Sequence, residues 1–310
     1  MHTSPGFERS IQTIRAVKDY GWTYPSNYLD IYFEKISAVE NIAWMEVGEH
    51  CLSHTGAMSL PAFGVFVDVA LSNAARASLG QQASLATIGL RLGIHQLPRA
   101  GKIKSVSKIK DHLENAQIGA VFTEVDIYCE AGRLLASGSA LMGMAPFKNA
   151  LDVQALPAKP KDFAPVQDCL PLTAPCDTLT FEAAQKAQSL GNGASFIDNF
   201  WAAQALSNSH TGAGSRFSKG QHLANRAGNV HGGILYGIAA QAAASVAPAG
   251  WQIAESSVQY LNAASDETFE THTQLLRQGR NTAVVACQVI SNKDKPVIHS
   301  QWTFLKPQSP

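Results

Sequence analysis

Neither sign of charge dominates this chain: Lys and Arg number 24 in 310 residues, and so do Asp and Glu. That balance gives no support for a nucleic-acid partner or a charged membrane surface, both of which select basic faces. Charged residues make up only 15% of the chain against 45% hydrophobic, which excludes a disordered polymer and allows a sizeable buried core. The five cysteines, Cys51, Cys129, Cys169, Cys176 and Cys287, form no CxxC pair and no metal-type spacing with histidine. An odd, scattered set points to reduced thiols and a cytoplasmic location. Residues 1–20 lack the apolar core of a signal peptide, and no run approaches the length that crosses a bilayer. A soluble intracellular protein with no membrane and no nucleic-acid partner is expected.

What is present is concentrated in one stretch, Asn225-Arg226-Ala227-Gly228-Asn229-Val230-His231-Gly232-Gly233. Residues 234–246 after it are apolar, rich in Ala and free of Pro, so they read as a buried helix that opens at the glycines. The first N–H groups of a helix have no intrahelical partner and carry the positive end of its dipole. Glycine there lets a ligand oxygen approach the backbone. The plainer reading is a turn before a core helix, with Asn225 and Asn229 as caps.

A length of 310 residues suits about two domains. Phe7, Ile11, Ile14 and Val17 recur at helical spacing, predicting a leading amphipathic helix ended by Gly21, and a short helix is expected over 27–35. Residues 36–47 look strand-like, with Val39, Ile42, Trp44 and Val47 as packing positions. Residues 62–79 form a long apolar helix carrying one acid, Asp68, and strands follow at 84–97, 102–110, 118–129 and 134–144. Five prolines punctuate residues 148–180, read as a surface linker. The order then repeats: a helix over 181–190, a mixed segment over 195–206, the glycine stretch with its helix, and strands at 252–261, 268–276, 282–290 and 296–305. A helix followed by four antiparallel strands, twice over, is an internal duplication of an α+β unit. The pentapeptide Ser-His-Thr-Gly-Ala also recurs, at 53–57 and 209–213.

These residues resemble the hotdog-fold acyl-CoA thioesterases of the phenylacetate-pathway and hydroxybenzoyl-CoA group. Asn225 and His231-Gly232-Gly233 match that family's motif at the mouth of its central helix. Ser257-Val258-Gln259-Tyr260-Leu261-Asn262-Ala263 looks like the family strand that follows, and residues 87–98, from Thr87 to Pro98, look like its counterpart with one extra residue. The resemblance covers about 36–147 and 195–306. It implies two tandem hotdog domains, each an antiparallel sheet wrapped around a central helix, packed as an intramolecular pseudo-dimer. The implied divisions are an N-terminal extension (1–28), a first hotdog domain (29–147), a Pro-rich linker (148–180) and a second hotdog domain (181–310).

The departures from the family pattern are informative. The helix acid, nine positions after the His, falls on Ala240 in the second half; in the first half the acid is Asp68, but nine positions before it stands Ser59. From Ala57 to Asp68 is 11 positions and from Ala213 to Ala240 is 27, so the first half is expected to lack a loop of about 16 residues. Members of the family build each site from two paired units. The resemblance therefore implies one composite site that takes Asp68 and Thr87 from the first half and Asn225, His231 and Gly232 from the second. Asp68 would be base or nucleophile and the Gly232 N–H the oxyanion donor. His231 would orient the loop or hydrogen-bond the thioester oxygen, Asn225 would place water or the acyl carbonyl, and Thr87 would hold water or Asp68. The abandoned site would hold Ser59, Ala240 and Ser257. The implied substrate is an acyl-CoA, with no cofactor or metal, and a homodimer of the double unit is compatible with the resemblance. Cations for coenzyme A would come from Arg99, Lys102 and Lys104, or from Arg226, Arg277 and Arg280. The competing functions are a hotdog hydratase or dehydratase using Asp68 and His231, and a non-catalytic acyl-CoA-binding protein.

Overall fold

The computed structural model describes residues 3–80, 84–113, 119–144, 156–170, 172–190, 194–201, 203–209 and 212–307. In the first half, helices α1 (Pro5–Tyr20) and α2 (Tyr24–Tyr28) lead into strands β1 (Tyr32–Lys35) and β2 (Asn41–Val47). The long helix α3 (Leu60–Leu79) follows, with β3 (Leu85–Ile94), β4 (Gly101–His112), β5 (Ala120–Cys129) and β6 (Leu134–Met144). The second half gives α4 (Pro175–Ser189), α5 (Phe196–Phe200), β7 (Gln204–Ser209), β8 (Gly212–Ser218), α6 (Gly232–Val246), β9 (Gln252–Tyr260), β10 (Thr268–Gln278), β11 (Thr282–Ser291) and β12 (Pro296–Leu305). The repeat is therefore deeper than a helix and four strands, since α1, α2, β1 and β2 recur as α4, α5, β7 and β8.

The twelve strands of the described residues form one antiparallel sheet, ordered β1-β2-β4-β5-β6-β3-β9-β12-β11-β10-β8-β7. The order reads the same from both edges, and the halves join at β3 and β9, where Arg91 faces Ser257. Strands bury alternate residues, as in β11, where Ala283, Val285, Cys287 and Val289 are all buried. The two hotdog units thus share one sheet, and α3 and α6 lie against it and against each other.

Helix α3 is apolar all round, and it is buried all round: Phe63, Val65, Phe66, Val67 and Leu71 have no solvent exposure. Ser59 caps it, its Oγ accepting from Ala62 N at 3.3 Å, and Pro61 sits in the first turn where no N–H is needed. Where α3 crosses α6 the backbones touch. A methyl at Gly64 would stand 2.3 Å from the Gly233 carbonyl oxygen, and one at Gly237 would stand 2.2 Å from Pro61 Cα. Only glycine permits this approach, and it fixes how far along α6 each residue of α3 lies.

Several local expectations are corrected. Residues 27–35 are not a helix: α2, capped by Thr23, ends at Tyr28, Asp30 takes φ 52°, and β1 then pairs with β2. Val39 does not pack; it lies in the β1–β2 turn and is 80% exposed. The helix read as starting at 181 begins at Pro175, inside the stretch read as linker, because proline suits a first helical turn. Within that stretch residues 156–170 run over the first half: Pro157 O accepts from Phe33 N at 2.8 Å, and Lys161 Nζ lies 3.2 Å from Asp30 Oδ1. Residues 148–155 lie outside the described residues.

The missing loop is the largest correction. The short 3-10 turns Glu49–Cys51 and Gln221–Leu223, the bridges Leu52–Met58 and Ala224–Val230, and the caps Ser59 and His231 all stand 172 residues apart. The loops are equal in length. The two pentapeptides start only 156 apart, at 53 and 209, and the 16-residue deficit is their misregister. The structural counterpart of 53–57 is Asn225–Asn229. Of the second pentapeptide, His210 and Thr211 lie outside the described residues, while Gly212 and Ala213 belong to strand β8, between β10 and the edge strand β7.

Candidate active site

Asp68 lies on α3 in the run Val65-Phe66-Val67-Asp68-Val69-Ala70-Leu71 and is 8% exposed. A carboxylate among so many apolar neighbours needs donors. They come from two directions. Thr87 Oγ1, on β3 of the same half, donates to Oδ1 at 2.9 Å. Gly233 N–H, 165 residues away at the start of α6, donates to Oδ2 at 3.2 Å. The acid of one half thus occupies the anion-favouring N-terminus of the other half's central helix.

Thr87 faces the helices because of a bulge. Leu90, Leu92 and Ile94 are the buried residues of β3, so strict alternation would turn Thr87 outward; a register shift between Thr87 and Gly89 reverses the parity. The same alternation removes Ser257 from the abandoned site, where the matching bulge on β9, between Ile253 and Glu255, leaves an apolar residue, Ile253, in the place of Thr87. On β9, Ser256 and Val258 are buried, and Ser256 Oγ meets the Tyr236 hydroxyl at 2.9 Å, so Ser256 rather than Ser257 faces the helices.

His231 is the N-cap of α6 and is buried, its Nδ1 3.1 Å from Gly233 N and 3.3 Å from Asp68 Oδ2. Burial pushes the imidazole pKa down, outweighing the pull of Asp68 in the other direction. The ring is therefore neutral near pH 7, and its approach to Asp68 is not a charge pair. Gly232, the first helical residue, is pressed against the same carboxylate: a methyl there would stand 2.9 Å from Oδ2.

Asn225 holds the loop together. Its Oδ1 accepts from Ala227 N at 2.9 Å and Asn229 N at 3.1 Å, and Gly228 closes the turn at φ 74°. Its Oδ1 is thus committed to the loop, so any donation to a ligand would come from Nδ2.

Tyr260 is a site residue that local pattern reading missed as such. Its hydroxyl donates to the Gly232 carbonyl at 3.0 Å. That carbonyl belongs to the same peptide unit as the Gly233 N–H, so Tyr260 and Asp68 hold the two ends of one peptide plane and polarise it in the same sense. Burial raises the phenol pKa well above its ordinary value, which keeps it a donor. A tyrosine in a strand that already reads as core gives no local signal; only the fold places it here.

At the related position on the other side, the pieces fail together. Ser59, Leu60 and Pro61 replace His231, Gly232 and Gly233, and Ala240 replaces Asp68. Pro61 has no N–H to give where Gly233 donates. Arg99 belongs to that side, its Nη1 3.2 Å from Thr55 O, and Lys104 lies over the Trp44 ring. Arg226 lies on the loop leading to α6, Arg277 is exposed at the end of β10, and Arg280 is exposed on the turn that follows it. Among the described residues no cluster of metal-binding type is found, and no helix is long and apolar enough to cross a membrane.

With this geometry in place, the similarities to known proteins are of two kinds. The sequence profile of the acyl-CoA thioesterase N-terminal domain matches residues 222–305, which lie in the second half of this chain. Solved structures match nearly the whole chain. The 12:0-ACP thioesterase from Umbellularia californica gives a TM-score of 0.52 at 10% identity, covering 87% of this chain and 98% of that one. An acyl-CoA thioesterase II from Mycobacterium marinum gives 0.50 at 11% identity, covering 89% and 96%. An acyl-ACP thioesterase from Bacteroides thetaiotaomicron gives 0.50 at 12% identity, covering 86% and 97%. At such identities the likeness is one of fold: a hotdog, thioesterase-like architecture. No curated protein matches the chain by sequence.

Proposed function

We propose that this chain is a thioesterase that hydrolyses acyl-CoA-like thioesters at one composite site between its halves. The observation that supports it most is the Asp68 carboxylate, held by Thr87 and aimed by the Gly233 N–H at the mouth of α6. Acting as general base, Asp68 takes a proton from water as the water oxygen bonds to the thioester carbonyl carbon. The carbonyl electrons move to oxygen, which the Gly232 N–H receives at the positive end of α6. Collapse breaks the C–S bond, and the thiolate leaves with the proton from Asp68. Acting as nucleophile, Asp68 bonds to the thioester carbonyl carbon and expels the thiolate, leaving a mixed anhydride that water then opens; single-turnover hydrolysis in 18O-water labels the carboxylate of Asp68 only along this route, when water attacks the Asp68 carbonyl carbon. His231 and Asn225 orient the loop, and Tyr260 fixes the peptide that aims Asp68.

A panel of acyl-CoA esters assayed with a thiol reagent tests this reading. Cleavage is expected in the wild type and its abolition in Asp68→Asn; wild-type rates in Asp68→Asn would remove the assignment. Ala240→Asp, which supplies the acid on the other side, is expected to rescue nothing in the Asp68→Asn background, because Pro61 cannot donate to it.

The neighbourhood of His231 and Asp68 keeps a hydratase reading in play. Water addition to an enoyl-CoA, followed by loss of the enoyl absorbance without thiol release, favours it. Tight acyl-CoA binding with neither reaction favours a binding protein.

A further inference from the structure

Arg76 lies eight residues beyond Asp68 on α3, roughly 12 Å further along the helix axis. The α3–α6 crossing sets what it faces. Pro61 meets Gly237, Gly64 meets Gly233, and Asp68 meets Gly233 and His231, so the helix continues past the start of α6 toward the loop Asn225–Asn229. The side chain is largely buried, and its compensation is poor. Nη1 donates to Ser72 Oγ at 3.3 Å, whereas Nε is sealed from solvent with no hydrogen-bond partner. Among the described residues no carboxylate lies within ion-pair distance of it. Burial lowers its pKa to about 10, and the charge of Arg226 presses the same way, while Asp68 opposes them. Two cations therefore lie near each other beside the site, one of them Arg226 on the loop that carries the glycines.

An arginine in the last turn of a helix is ordinarily explained by the dipole, which favours positive charge there. That accounts for an exposed guanidinium but not for a sealed Nε. A largely buried cation without a carboxylate partner is costly, and a fork of five donors is suited to a planar or tetrahedral oxyanion.

We propose that Arg76, with Arg226 beside it, is the subsite for an oxyanion of the substrate, either a phosphate of the thiol carrier or a carboxylate at the far end of the acyl group. The proposal rests on the thioesterase reading only for the identity of the molecule that carries the oxyanion. It assigns the substrate a second anchor, separate from the thioester carbonyl held at Gly232.

Binding is measured first, without hydrolysis. The melting temperatures of wild type and Arg76→Met are compared alone, in coenzyme A, in glutarate and in inorganic phosphate. Unliganded Arg76→Met is expected to melt at or above the wild-type temperature, since a buried charge is gone, and to lose the rise that an oxyanion confers on the wild type. Hydrolysis is then followed for butyryl-CoA, butyryl-N-acetylcysteamine and glutaryl-N-acetylcysteamine. Arg76→Met is expected to raise KM about tenfold or more for the ester carrying the recognised group and to leave butyryl-N-acetylcysteamine unchanged. A loss confined to butyryl-CoA assigns the carrier phosphate; one confined to the glutaryl ester assigns the distal carboxylate. Equal effects on all three esters, or none on any, overturn the subsite. If the wild type cleaves no ester but shows Arg76-dependent stabilisation, the oxyanion site stands and the thioesterase reading falls. Cleavage that Arg76→Met leaves untouched gives the reverse result.

Discussion

Replacing Gly232 by alanine separates stability from chemistry in a way the geometry makes quantitative. The added methyl would stand 2.9 Å from Asp68 Oδ2, where ordinary contact begins at 3.4 Å, so the carboxylate must retreat by about 0.5 Å. The backbone needs no change, since Gly232 is not among the positive-φ glycines and sits in the first turn of a helix. Alanine there reduces the freedom of the unfolded chain by roughly 0.5 kcal/mol, against about 1 kcal/mol from a weakened Gly233–Asp68 hydrogen bond. The two nearly cancel, and the urea midpoint is expected to move little. Catalysis is far less forgiving: misplacing a reacting group by about 1 Å costs on the order of a hundredfold, so half that shift costs about tenfold. Steady-state hydrolysis of a cleaved acyl-CoA, measured beside urea unfolding, is expected to show kcat down about tenfold or more in a protein of near wild-type stability. A Gly232→Ala enzyme with kcat within twofold of wild type refutes the placement of Asp68 against this peptide.

The remaining predictions probe other parts of the same construction. Tyr260→Phe removes the hydroxyl bound to the Gly232 carbonyl and is expected to lower kcat about tenfold with KM nearly unchanged; an effect on KM alone would remove its positioning role. Gly237→Ala places a methyl against the backbone of Leu60 and Pro61 at the start of α3 and is expected to cost roughly 3 kcal/mol in urea unfolding, where a mutation at an open helix position would cost nothing. Stability is also expected to fall on acidification. His50 and His222, at equivalent places in the two halves beside Tyr28 and Phe200, have imidazoles that burial pushes down to about 3 and about 4. Their pKa values are depressed in the folded state, so the unfolded chain takes up protons first as pH drops below about 6.5. The loss grows down to the folded values. Discounted for partial solvent contact, the pair is expected to cost roughly 2 kcal/mol between pH 8 and pH 5; a flat urea midpoint over that range, or one unchanged by His50→Gln with His222→Gln, would contradict it.

Local pattern determined much of this protein. Apolar periodicity located α3 and α6 to within two residues at their starts, and alternation with turn residues located the eight strands that follow them, because these are properties of neighbouring residues. The fragments of the motif, Asp68 in one half and His231-Gly232-Gly233 in the other, were also visible, since unusual residue types in apolar surroundings stand out. The register of the duplication was not: a chance pentapeptide outweighed a gap-free offset that carries little identity, and the true offset emerged only from matching bridges and caps. Tertiary structure alone decided that Asp68 meets a peptide 165 residues away. That meeting depends on glycines that let two helices touch along their backbones and on β3 pairing with β9 to make one sheet. A bulge turned Thr87 inward, and sheet parity carried Tyr260 to the helix mouth. Periodicity states which face of an element is buried; only packing in three dimensions decides which other element that face meets, because the contact depends on how closely two backbones can approach.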